Sequence, residues 1–201
     1  MKTPLLIMTI IVAVVIIALA IMLLTFHAKR TAINVQRIGL VTIPMNVPRI
    51  FVNSAFANGS QIPPMYTCDG ANISIPITLS NIPSNAKSIM VIIEDLNAPG
   101  GVFIHWVLYD IPPNVTQIQE GLPTEYYVPG IGYQGVNDFG KIGYGGPCPP
   151  PGPPHEYVVI VLALNITINP APNLYDHEII NSLNVHDVVG YGILIGYYGH
   201  G

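Results

Sequence analysis

The sequence predicts a mainly β domain of two packed sheets with few peripheral helices, preceded by one N-terminal transmembrane helix. Three observations carry this expectation. Short β-branched and aromatic runs, bounded by Gly, Pro, Asn or Ser, recur from residue 49 onward. Several of these runs are apolar at nearly every position, so both faces of a sheet need cover. Residues 5–26 form 22 consecutive uncharged positions, about 33 Å as a helix against a hydrocarbon core of about 30 Å.

Taken in order, residues 1–28 read as a membrane anchor. A cleaved signal peptide is the alternative, with Ala18-Leu19-Ala20 resembling a cleavage site, but the apolar run continues beyond it. Residues 29–48 have little periodicity, contain Pro44 and Pro48, and read as a tether. The domain then occupies residues 49–201. Its expected strands are 49–54, 73–80, 88–94, 102–111, 157–165 and 190–198. One helix is expected over 175–183, where Tyr175, Ile179, Ile180 and Leu183 recur at helical spacing.

Charge narrows the function. Only 9% of residues are charged, against about a quarter in a typical soluble domain. From residue 50 onward, Lys87 and Lys141 face eleven acidic groups, a formal balance of −9. So few cations exclude a nucleic-acid-binding surface. The aliphatic runs exclude disorder. Two features speak to the side of the membrane. Lys29, Arg30 and Arg37 after the span argue for a cytoplasmic domain. Sequons at Asn58, Asn72, Asn114 and Asn165, together with the near absence of lysine, favour an extracellular one, with those four asparagines as glycosylation candidates.

Between residues 121 and 154, half of 34 positions are Gly or Pro. So long a connection is either functional or disordered. Tyr126, Tyr127, Tyr133, Phe139 and Tyr144 suit it for packing against the body, as a rigid rim with exposed peptide N–H groups. Alternation places Phe103, His105, Val107 and Tyr109 on one strand face, with Ile104, Trp106 and Leu108 opposite, and His155, Tyr157 and Val159 together on another strand. A lone strand histidine is more often a satisfied core residue than a ligand. Two of them, with Glu94 and Asp95 ending another strand, point instead to a shared site. There Asp95 would orient and charge an imidazole, and a partly protonated pair would receive an anion.

These residues carry a resemblance. Cys68-Asp69-Gly70-Ala71-Asn72-Ile73-Ser74-Ile75-Pro76 resembles the CDGxNxSP segment of the phosphatidylethanolamine-binding protein (PEBP) family, in its bacterial and archaeal YbhB/YbcL, Raf-kinase-inhibitor-like group. Asp95-Leu96-Asn97-Ala98-Pro99 is similar to its DPDAP motif, and His105-Trp106-Val107 to HWV. Asn137-Asp138-Phe139-Gly140-Lys141 through Pro150 resembles NDFGKxGYGGPCPP, and His155-Glu156-Tyr157 stands at HRY. The motifs run in family order over roughly residues 50–199. The resemblance implies a β-sandwich of a larger and a smaller sheet. It also implies an anion pocket of Asp95, His105, Gly146, Pro147, His155 and Tyr157 that accepts phosphate or a phosphoethanolamine head group. Leu96, Asn97 and Glu156 depart from the motifs. Loss of the family arginine at 156 implies weaker binding, or binding that depends more on histidine protonation. The resemblance also brings Cys68 and Cys148 to one end of the domain, where they either form a disulfide or stay as two buried thiols.

Three function classes follow. The first is a phospho-ligand or lipid-head-group binding module. The second, which the family's inhibitory members suggest, is regulation of a partner such as a protease, through the pocket rim or residues 121–135. The third and weakest is a hydrolase using Asp95, His105 and His155; neither HExxH nor G-x-S-x-G is present. No cofactor, resident metal or enzymatic activity is expected.

Overall fold

The computed structural model describes residues 8, 11–23 and 34–200. Met8 and residues 11–23 are helical (α1). Among the described residues no helix is long and apolar enough to cross a membrane. The expected N-terminal transmembrane helix, and the anchored localisation built on it, are corrected accordingly; residues 1–7, 9–10 and 24–28 of that expectation lie outside the described residues.

The second compact unit begins at Val35 rather than Arg49. Residues 35–48, expected as tether, instead form a hairpin of β1 (Val35–Ile38) and β2 (Val41–Pro44). Its Val41 and Ile43 are fully buried, joined by Met45 and Val47. Hydrophobic patterning over so few residues is too short to show a period. Residues 29–33 of the tether lie outside the described residues.

Ten further strands follow: β3 (Phe51–Asn53), β4 (Ser60–Gln61), β5 (Ile77–Ser80), β6 (Ser88–Asp95), β7 (Phe103–Ile111), β8 (Gln117–Ile118), β9 (Tyr127–Val128), β10 (Gly132–Gln134), β11 (His155–Leu164) and β12 (Val188–Tyr198). The large sheet has seven strands in the order β4-β12-β11-β6-β7-β10-β9, and the small sheet has three, β3-β5-β8. The expected helix is two residues shorter at its C-terminal end, α2 (Asp176–Asn181), where the Ser182 N–H already closes onto Glu178, Ile179 and Ile180 carbonyls.

Both faces of β6, β7 and β11 are covered, as their unbroken apolar runs require. One face (Ile89, Val91, Ile93, Trp106, Leu108, Val159, Val161) packs on Ile50, Ile77, Leu79 and Ile118 of the small-sheet side. The other (Met90, Ile92, Ile104, Val107, Tyr109, Ile160, Leu162) is sealed by the β1–β2 hairpin and by Ile179 and Ile180 of α2.

The hairpin also caps a buried charge. Glu94 is fully buried, and its two oxygens share the Leu40 N–H at 3.2 and 3.3 Å. Gly39, at φ +53°, has no alternative: a Cβ there would overlap the Glu94 carboxylate. Burial pushes Glu94 up to about 7, with the Leu40 N–H and Arg37 opposing the rise. A carboxyl with a raised folded pKa stabilises fully below its unfolded value of 4.5 and loses that contribution as pH rises through 7. The slope integrates to on the order of 3 kcal/mol. Urea denaturation of wild type and Glu94→Gln from pH 5 to 8 should therefore diverge, with only the wild type carrying this descending component.

Candidate functional site

The site forms where β6, β7 and β11 end together. Asp95 closes β6, pairing across the ladder with Phe103 on one side and Tyr157 on the other. His155 opens β11, and its Nδ1–H donates to Asp95 Oδ2 at 2.7 Å with both side chains buried. The second carboxylate oxygen accepts the Asn97 N–H at 2.8 Å. Asn97 Oδ1 in turn accepts the Glu156 N–H at 2.7 Å, fastening the β6 exit to the start of β11.

His105 reaches the same place by a route that strict alternation does not describe. The β6–β7 register steps from Ile93 opposite Trp106 to Glu94 opposite Ile104, leaving His105 as an extra residue. Such a bulge re-aims a side chain. Ile104 accordingly joins Val107 and Tyr109 on the hairpin-covered face, while Trp106 lies on the other. His105 packs edge-on against Tyr157, on Trp106's side, with ring centroids 5.2 Å apart. The expected grouping of His105 with Val107 and Tyr109 is thus corrected.

His105 Nδ1 lies 2.7 Å from the Gly145 carbonyl. A carbonyl only accepts, so Nδ1 carries the hydrogen and Nε2 is the bare nitrogen of the neutral ring. Burial pushes the imidazole below its ordinary value, the Gly145 contact and Asp95 opposing it. Burial therefore works against the expected half-charged pair at His105. Tyr157 is fully buried behind it, with its hydroxyl close to the Asp95 carboxylate. Burial first, then the nearby Asp95 charge, hold that hydroxyl protonated.

Asp95, His105 and His155 line a cleft of about 160 Å³, whose other walls are mainly Ala98, Pro99, Phe103, Phe139, Pro149 and Pro150, with Cys148. Gly146, Pro147 and Tyr157 do not reach it. The Gly146 N–H is spent on Asn72 Oδ1 at 2.8 Å, the Gly145 N–H on the His105 carbonyl at 3.0 Å, and the Pro147 carbonyl accepts the Cys68 N–H at 3.0 Å. Two of the expected free peptide donors of the Gly/Pro rim, Gly145 and Gly146, are thus already engaged. Gly146 is required there for space, since a Cβ would lie 2.3 Å from the Tyr66 carbonyl. Glu156 also stands apart from the expectation. It alternates away from His155 and Tyr157, and its carboxylate accepts the Tyr197 hydroxyl at 2.9 Å. The side chain at 156 thus faces away from the cleft.

Cys68 and Cys148 are joined by a disulfide with Cα atoms 5.4 Å apart. Of the sequon asparagines, Asn58 Oδ1 accepts the Ile195 N–H, Asn72 holds Gly146, and Asn165 Nδ2 donates to the His186 carbonyl; Asn114 is exposed. Sequence reasoning singled out neither Phe103 nor Phe139 as cleft walls. Their rings meet each other at 4.7 Å and frame His105 at 5.0 and 5.3 Å. An aromatic on each side of a strand histidine's loop was the available signal.

The chain was compared with known proteins. Residues 52–198 match the family model described as phosphatidylethanolamine-binding protein. A UPF0098 protein of Pyrococcus horikoshii is 43% identical over 150 residues, covering 73% of this chain and 75% of the relative. One from Methanothermobacter thermautotrophicus is 40% identical over 147 residues, covering 73% and 96%. Among solved structures, a PEBP homologue from Chlamydia trachomatis superimposes with a TM-score of 0.68 at 31% identity, over 76% of this chain and 99% of that one. Escherichia coli YbcL, described as a member of the mammalian PEBP family, gives 0.66 at 28% identity, with the same coverage.

The wall of the cleft depends on one amide. Asn72→Ala leaves the buried Gly146 N–H without its acceptor and should cost about 1–3 kcal/mol, read as a lowered urea midpoint at unchanged m-value.

Proposed function

The chain belongs to the phosphatidylethanolamine-binding protein family, and we propose that it is a binding domain whose cleft takes a small phosphate-bearing anion, either free or as a phosphoethanolamine head group. The observation that carries this reading is the convergence of two imidazoles from separate strands on one cleft, each with Nδ1 already committed. His155 uses Nδ1 on Asp95 and His105 uses Nδ1 on Gly145, so each ring has only Nε2 left for a ligand. The size supports a head group and not a whole lipid. Drug-sized ligands occupy about 300–1,000 Å³, and this cleft measures about 160 Å³.

Binding without turnover is the better reading. The described lining holds neither a serine nor a lysine, and Cys148 is tied in the disulfide. Metal-assisted hydrolysis would need Asp95, His105 and His155 to converge on one ion. Instead Asp95 is spent on His155 and Asn97.

For an imidazole to donate to an anion, Nε2 must take up a proton. Burial depresses the folded-state pKa of His105 from 6.5. Without ligand, this group loses stability as pH falls below 6.5, because the unfolded chain takes the proton first. An anion reverses that preference. Titration calorimetry with inorganic phosphate and with O-phosphoethanolamine should show affinity rising as pH falls from 8 to 6, with His105→Ala and His155→Ala each weakening it at least tenfold. A flat pH profile, or binding that survives both substitutions, overturns the reading.

A second reading, inhibition of a peptidase, is favoured by one observation. Gln134 ties residues 123–134 into a rigid projection, donating from Nε2 to the Pro123 and Glu125 carbonyls at 2.7 Å each, while Tyr127 stays half exposed. Pre-ordered exposed loops lose little entropy on docking. Titration against serine and metallo-carboxypeptidases should give inhibition that Tyr127→Ala abolishes and the histidine substitutions leave intact. No inhibition across the panel removes this reading.

A further inference from the structure

The wall of the cleft changes character at Cys148. Before it, side-chain and backbone bonds hold the loop down: the Tyr144 hydroxyl donates to the Tyr66 carbonyl at 2.6 Å, Gly146 to Asn72, and Cys68 to Pro147. After it come Pro149, Pro150, Pro151, Gly152, Pro153 and Pro154, five of six residues without an N–H to donate. Pro149 and Pro150 are cleft walls. From Cys148 to the start of β11, the rim is therefore fixed chiefly by the covalent bond to Cys68.

That bond lies in reach of solvent, with both cysteines exposed, and has an imidazole beside it. One imidazole nitrogen of His200 and the two sulfurs all lie within 4.8 Å of one another. Asp69, next to Cys68, holds that ring through Nδ1 at 2.7 Å and also accepts the Tyr198 hydroxyl at 2.5 Å. The two bonds hold the Asp69 carboxyl below its usual range, Tyr198 contributing most. An imidazole anchored beside a sulfur can pass a hydrogen bond or a proton to a departing thiolate.

We propose that Cys68–Cys148 is a thiol–disulfide exchange site whose reduction by a dithiol loosens the cleft's proline wall and lowers its affinity for the anion. The proposal rests on the anion-binding reading above. A thiolate of the dithiol attacks Cys148 Sγ; the S–S bond breaks, and Cys68 leaves as a thiolate beside His200, then takes a proton. The dithiol's second thiolate attacks the mixed disulfide and expels Cys148, which is protonated in turn. The domain gains two electrons and two protons, and the dithiol becomes a disulfide. His200 acts through the sulfurs as a positioning residue.

Oxidised protein is titrated with inorganic phosphate at pH 6, then again after reduction with dithiothreitol and its removal under nitrogen, alongside Cys68→Ser combined with Cys148→Ser. Near-UV circular dichroism reports the fold. The expected result is a folded reduced protein and a folded double variant, both binding phosphate about tenfold more weakly than the oxidised form, a change of about 1.4 kcal/mol. His200→Gln should slow reduction by dithiothreitol severalfold and leave phosphate affinity of the oxidised form unchanged. Equal affinity in the two redox states overturns the proposal. So does loss of the near-UV signal on reduction, because the bond then holds the fold and not the rim. An unchanged reduction rate in His200→Gln overturns the exchange-site assignment. Absence of phosphate binding in either state sinks the anion reading itself, an outcome distinct from equal binding.

Discussion

Opposite Ile93 the chain places two residues on β7 for one on β6, and the position of the cleft follows from that extra residue. In an unbulged ladder His105 would take the face that β1–β2 and α2 cover, among Val41, Ile43 and Ile179. There a neutral imidazole would lose the Gly145 carbonyl and bury two nitrogens without partners, which costs several kcal/mol. The bulge instead delivers His105 to the face where Asp95, His155 and Tyr157 already point. Asp95 and Tyr157 are register partners, and His155 stands two residues earlier on β11. The first imidazole is in place by ladder geometry, and the second by a local break in it.

The rest of the site is arranged around keeping that histidine aimed. The Gly145 carbonyl that holds Nδ1 belongs to a loop which is itself held: the Gly145 N–H returns to the His105 carbonyl, Asn137 Nδ2 donates to the Gly143 carbonyl at 2.7 Å, and Asp138 Oδ2 accepts the Ile104 N–H at 2.7 Å. Strand and loop thus clamp each other on both sides of the bulge. Trp106 extends the clamp, donating from Nε1 to Gln134 Oε1 at 2.8 Å. A loop rich in Gly and Pro is ordered here because Gln134 and Asn137 each bond several groups, and because Gly132, Gly135, Gly145 and Gly146 sit where a Cβ would collide.

Much of this was legible in the sequence, and the failures share a cause. The core strands β6, β7, β11 and β12 were readable because eight to eleven residues give a pattern to read. The short strands β4, β8 and β9, two residues each, were not, since pairing and not propensity makes them strands. The hairpin at 35–44 was missed for the same reason. At the site, residue types identified Asp95, His105 and His155, but alternation gave the wrong face for His105, because a bulge leaves no signature in hydrophobic pattern. Gly146 and Pro147 carried the right motif for a less direct reason: they build the wall from behind. The apolar N-terminal run met the length criterion as a sequence, but among the described residues no helix is long and apolar enough to cross a membrane.

Scarcity of charge sets the terms for any ligand of the cleft. Neither lysine nor arginine is among its described lining residues, and the one acidic side chain there, Asp95, is bonded to His155. No fixed cation is therefore at hand to meet an anion, and the walls of proline and phenylalanine offer no competing dipoles. On the proposed reading the proton that an anion needs is taken up at His105 Nε2, against the burial that opposes it, and the ligand's charge offsets that cost. A site built on arginine would hold phosphate at every pH; on this reading the cleft takes its anion only together with a proton.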